Sequence, residues 1–275
     1  MTLRTIMVQL ELGRPHAGVL AVAGDLGERF QAEVIGIAAC QPMRMDYGDV
    51  AFSGDFVQVD RDEIDRELKA AELDFRTALG PRATSVAWRS TITNGSLCDY
   101  FAREARSADL IITHVSSTDL LNPTRRINTG GLVMQAGRPV LIVPGHVQSL
   151  KIERAVLAWK DTREARRAAL DALPLLKAAG HVAVVAIATQ DKLAWAQADL
   201  DDVLGWLRRH GVEASQVLTT AAGDSPTQLQ SVAREQKADL IVAGAYGRSR
   251  LQEWALGGVT GDLLMHANIC SLVSH

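Results

Sequence analysis

The chain has 275 residues, 47% of them hydrophobic and 22% charged, with a formal net charge of −3. That length admits two ordinary domains or one large one, and the slightly acidic balance argues against a dedicated binder of nucleic acid or of anionic membranes. No apolar run approaches the roughly 20 residues that span a bilayer. Cys40, Cys98 and Cys270 are odd in number and lack metal-ligand spacing, as expected of reduced thiols in a cytoplasmic protein.

Residues 3–10 form a β-branched, apolar run read as a first strand, without the apolar core of a signal peptide. Helical spacing follows over 15–30, with Val19, Leu20, Val22, Ala23 and Leu26 as its buried face. Residues 32–39 read as a strand buried on both faces. Residues 41–59 contain Pro42, Gly48 and Gly54 among scattered aromatics and read as a long loop, with or without a short helix. A charged amphipathic helix is expected over 60–79, ended by Gly80 and Pro81. Its alternating charges suit a solvated face with i,i+4 pairs. Strands are then expected at 83–89, 108–113 and 139–144, with helices at 96–107 and 128–137.

From residue 152 the order begins again. Strands are expected at 152–159, 181–188, 212–218, 238–242 and 269–274. Helices are expected at 162–179, 192–209, 225–236 and from 261, and Pro174 predicts a break inside the first of these. Ala-Arg-Glu at 102–104 before Ala-Asp-Leu-Ile at 108–111 matches Ala-Arg-Glu at 233–235 before Ala-Asp-Leu-Ile at 238–241. Two units follow, 1–146 and 151–275. Each is an open, mainly parallel five-stranded sheet with helices on both faces, a Rossmann-like α/β arrangement. Ligands on such sheets sit beyond the carboxyl ends of the strands, where the strand order reverses. The loops after the first and fourth strand of each unit are therefore the candidates.

One of those loops carries glycines. After the strand at 238–242 come Gly244, Gly247, Gly257 and Gly258, and then Val259 and Thr260 before a helix. Glycines let backbone approach an anion, and free N–H groups at a helix start point toward it. The spacing of two residues and then nine fits neither the dinucleotide fingerprint nor the Walker loop. The bland alternative is a turn that packs a helix on the sheet. The first unit has His114, Val115 and Ser116 in the corresponding place and keeps only Thr129, Gly130 and Gly131 from the trailing end. His114 itself reads as a loop histidine near the sheet edge, with no His, Asp or Glu cluster nearby in sequence. His275 matches no motif.

On these residues the chain resembles the universal stress protein family in its tandem, two-domain form. The resemblance implies that ATP, or a related adenine nucleotide, binds in the second domain. Its phosphates would lie on Gly244, Gly247, Arg248, Gly257, Gly258, Val259 and Thr260. Its adenine and ribose would lie near Ala158, Trp159, Lys160, Asp161 and Ala186. Two positions depart from the family pattern. Lys160 replaces an acceptor, and a lysine accepts no hydrogen bond; Gly258 replaces a Ser or Thr. The first domain, with Glu11 in its first loop, is expected not to bind ATP in the family manner. The resemblance also implies a stress-response role and a pseudo-twofold packing of the two domains through 139–144 and 269–274; a homodimer and an accompanying Mg²⁺ are left open. No catalytic spacing stands near the loop, so a regulatory or binding module is favoured over its rivals, a slow ATPase or phosphotransferase and an interaction protein that has lost the nucleotide.

Overall fold

The structure, a computed structural model, describes residues 2–42, 54–115, 123–223, 225–245 and 259–275. The first half of the chain runs β1 (Thr5–Gln9), α1 (Ala17–Phe30), β2 (Glu33–Cys40), α2 (Gly54–Leu79), β3 (Val86–Ile92), α3 (Leu97–Glu104), β4 (Leu110–His114), α4 (Thr129–Gln135) and β5 (Val140–Val143). The second half runs β6 (Arg154–Trp159), α5 (Arg163–Asp171), α6 (Leu173–Ala178), β7 (His181–Ala188), α7 (Leu193–Arg209), β8 (Ala214–Thr220), α8 (Ser225–Glu235), β9 (Leu240–Gly244), α9 (Val259–Met265) and β10 (Cys270–Ser274).

The ten strands among the described residues belong to one sheet, in the order β3-β2-β1-β4-β5-β10-β9-β6-β7-β8. Every pairing is parallel except the central one, where β5 and β10 run antiparallel with Leu141 opposite Leu272. Each half is thus a five-stranded parallel sheet in the same order, and the antiparallel seam relates the halves as a local dyad would. The seam covers an edge strand of each half that would otherwise expose unpaired N–H and C=O groups. The seam falls on the two segments expected to meet.

Alternation along the strands divides the buried side chains between two cores. Ile6, Val8, Leu110, Ile112, Leu141 and Leu272 face one side, under α1, α2, α5, α6 and α7. Met7, Ile111, Val140, Ile142 and Val273 face the other, under α3, α4, α8 and α9. Both cores pass through the seam, so the two halves share them.

The repeated Ala-Asp-Leu-Ile has a physical reason. The Asp109 carboxylate accepts hydrogen bonds from the backbone N–H groups of Arg4 (2.8 Å) and Thr5 (3.0 Å). Asp239 does the same for Glu153 (2.7 Å) and Arg154 (3.2 Å). Each aspartate satisfies the leading donors of the neighbouring central strand and fixes its register.

Several boundaries differ from expectation. The helix expected from residue 60 begins at Gly54, so the segment 41–59 is partly helical; its residues 43–53 lie outside those described. The third strand of each half starts two or three residues late, because both are edge strands with half-exposed, mixed-polarity sequences that mark no boundary. The break expected at Pro174 is present: α5 ends at Asp171, and Pro174 lies in the first turn of α6, where its missing N–H costs no hydrogen bond.

Candidate functional site

In the second half β6 lies between β9 and β7, so the strand order reverses between β6 and β9, which pair Ala155 with Leu240 and Leu157 with Val242. The two candidate loops therefore leave adjacent strand ends. Gly244 is the last residue of β9. A Cβ there would lie 2.5 Å from the Ala165 nitrogen and 2.6 Å from the Glu164 carbonyl carbon. This glycine is required by the close approach of α5 to the strand, the role that the bland reading assigned to the loop. Thr162 caps α5, its hydroxyl accepting from the Ala165 N–H at 3.2 Å.

His275 holds the start of the glycine loop, a role that no sequence motif indicated. Its Nδ1 donates to the Ala245 carbonyl at 3.1 Å, while the Ala245 N–H donates to the Ser274 carbonyl at 2.8 Å. The only signal in the sequence was its place directly after the strand expected at 269–274, which the structure sets beside β9. Of the phosphate-side residues, Val259 and Thr260 open α9. Gly247, Arg248, Gly257 and Gly258 lie outside the described residues.

The residues of the adenine side do not share one surface. Trp159 is the register partner of Ala186 and faces the core under α5 and α7; Ala158 faces the opposite core. Lys160 is exposed. Asp161 is also exposed and pairs with Arg166 at 2.6 Å.

The first half has the same crevice between β1 and β4, but its own side chains occupy it. Ile6 pairs with Leu110 as Ala155 pairs with Leu240. Counting along from these pairs, Gln9 stands where the second half has Ala158, Glu11 where it has Lys160, and His114 where it has Gly244. The Glu11 carboxylate meets Arg14 at 3.2 Å and Arg126 at 3.1 Å. His16 donates from Nε2 to the Glu11 carbonyl at 3.0 Å, and its Nδ1 faces Asp74 at 3.4 Å. The Thr113 hydroxyl donates to Gln9 at 2.7 Å, and Arg125 pairs with Glu67 at 2.7 Å. Gln9, Glu11, His16, Thr113 and His114 are all buried.

His114 is therefore not the edge-loop residue that the sequence suggested. It ends a central strand, and its ring centroid lies 6.4 Å from that of His16. Among the described residues its Nε2 has no hydrogen-bond partner. Burial, with Arg14 and His16 nearby, pushes its pKa down to about 4. The residue stays neutral in the fold while the unfolded chain, with an ordinary histidine value near 6.5, takes up a proton. Stability must then fall as pH drops from about 6.5 toward 4, by about 2–3 kcal/mol from this residue. Urea unfolding of the wild type and of His114→Gln at pH 7 and pH 4.5 should show this, with the variant losing about 2 kcal/mol less on acidification. Equal losses in both proteins would contradict it.

All three cysteines are free. Burial pushes Cys40 up to about 11 and Cys270 up to about 12, so neither thiol is poised to react. Among the described residues no group of three or more His, Cys, Asp or Glu side chains could hold a metal ion, and no helix is long and apolar enough to cross a membrane.

Fold and crevices together define the class: a doubly wound α/β chain with two switch-point crevices, one filled by its own side chains and one beside a glycine loop. Residues 151–275 match the model of the universal stress protein family, so the second half of the chain carries a universal stress protein domain. No curated protein matches the sequence. Among solved structures, a universal stress protein from Archaeoglobus fulgidus DSM 4304 is similar at 15% identity and a TM-score of 0.76, over 98% of this chain and 95% of that one. A putative universal stress protein from Pseudomonas aeruginosa UCBPP-PA14 is similar at 15% identity and a TM-score of 0.65, over 99% and 93%. At these identities the likeness establishes the fold, and it extends over nearly the whole chain.

Proposed function

We propose that the second half binds ATP or a related adenine nucleotide at the β6–β9 crevice, and that the protein acts in the stress response as a nucleotide-dependent regulatory or binding module. The contrast between the crevices carries this reading. Where the first half places Gln9, Glu11 and His114, the second places Ala158, Lys160 and Gly244, with no buried carboxylate of the Glu11 kind at that position. The glycine run continues from there into the start of α9, whose leading N–H groups suit an anion. We take residues 1–146 and 151–275 as the two domains, packed as an intrachain pseudo-dimer in the cytoplasm. Phosphates would lie on Gly244, Gly247, Arg248, Gly257, Gly258, Val259 and Thr260. The base side would be built from Ala158, Trp159, Lys160, Asp161 and Ala186.

One observation favours a second reading, an interaction module of the same fold that has lost the nucleotide. Lys160 leaves Asp161 as the nearby acceptor, and Asp161 is engaged by Arg166. Calorimetric titration with ATP separates the two. The wild type should bind in the micromolar to millimolar range, and Gly247→Val with Gly257→Val should weaken binding by about tenfold or more, roughly 1.4 kcal/mol. No binding at millimolar ATP would favour the second reading. Phosphate release above that of the double variant would indicate a slow ATPase.

A further inference from the structure

Beside the end of β6, a groove of about 560 Å³ opens between α5 and α7. That volume is within the range of small-molecule sites and far above that of packing voids. Trp159 and Trp206 provide its aromatic walls, with Leu170 beside them. Leu170 is 42% exposed, and Trp195, one turn before Asp199 on α7, is 77% exposed.

The charge in the groove has one sign to spare. Three carboxylates line it, Asp161, Asp199 and Asp202, against one guanidinium, Arg166. Arg166 is taken up by Asp161 at 2.6 Å. Asp199 and Asp202 have no ion-pair or hydrogen-bond partner among the described residues. An anionic ligand would face this uncompensated charge, whereas a cation would be neutralised by it. Trp is the side chain whose ring face attracts cations most strongly. Indole walls, unpaired carboxylates and a volume of this size are the elements of a site for a quaternary ammonium.

We propose that the α5–α7 groove binds a small organic cation of the alkylammonium class, held between Trp159 and Trp206 and neutralised by Asp199 and Asp202. The proposal does not rest on the nucleotide reading, although the groove shares Trp159 and Asp161 with the base side proposed above.

Choline is the probe, titrated into the full chain and followed by tryptophan fluorescence and calorimetry without nucleotide. Saturable binding in the millimolar range is expected. The neutral isostere 3,3-dimethylbutan-1-ol, which has the same shape without the charge, should bind about fivefold more weakly or worse. Asp199→Asn with Asp202→Asn should weaken choline binding by a similar factor and lessen its salt dependence. Neither residue is buried, so the melting temperature of that variant should stay at the wild-type value. Because ATP would share Trp159 and Asp161, the choline titration is run without it and stands whether or not the chain binds ATP. Equal binding of the isostere, indifference to the double variant, or absence of saturable binding would each overturn the proposal.

Discussion

Gly244→Val is expected to destabilise the chain by about 3 kcal/mol, because overpacking against fixed backbone forces main-chain movement. The atoms in the way are the Ala165 nitrogen and the Glu164 carbonyl carbon, at 2.5 and 2.6 Å from the point that a Cβ would occupy, and neither can rotate aside as a side-chain tip could. Urea denaturation measures the loss directly, with the slope of the transition checked for constancy. A loss under about 0.5 kcal/mol, the range of ordinary surface substitutions, would mean that α5 does not lie on β9 as described. The same geometry bears on binding studies. Lost ATP binding in a Gly244 variant would report displaced packing as readily as a lost phosphate contact, so Gly247 and Gly257 are the better positions for testing the loop.

Leu272→Asp should cost still more, about 4 kcal/mol or above. Leu272 is buried at the centre of the antiparallel seam, opposite the equally buried Leu141, and belongs to the core that runs under α1 and α5. The substitution both removes packing and buries a carboxylate with no partner, the combination that gives the largest single-site losses. Leu272→Ala isolates the packing share, expected at about 2–4 kcal/mol. If the seam joins the halves energetically, the wild type unfolds in one transition and Leu272→Asp unfolds at lower denaturant or in two steps. A wild-type transition that is already split, with a midpoint indifferent to Leu272→Asp, would show that the halves are stable apart.

The scaffold was legible because a doubly wound sheet writes itself in short apolar runs. The strand at 181–188 could be placed to the residue, since His181–Ala188 is central, buried and bounded by Gly180 and Thr189. The edge strands were not, because β3 and β8 are half exposed and their sequences lack a buried period. The seam was expected from the family resemblance, which implied contact through 139–144 and 269–274. What one-dimensional spacing could not supply was contact across the sheet. His114 and His16 are 98 positions apart yet share one crevice, as Glu11 shares it with Arg126. His275 reaches the glycine loop only because β10 lies beside β9. Gly244 was legible as a glycine that matters, but the helix it admits was visible only in three dimensions.

The most direct measurement is the stoichiometry of nucleotide binding by calorimetry on the full chain, comparing the wild type with Glu11→Gln. One ATP per chain is expected in both, because the proposed nucleotide site is the crevice beside the glycine loop and the first crevice is lined by several buried polar side chains besides Glu11. No bound ATP, two per chain in the wild type, or a single site lost on Glu11→Gln would contradict the assignment of the nucleotide to the second half.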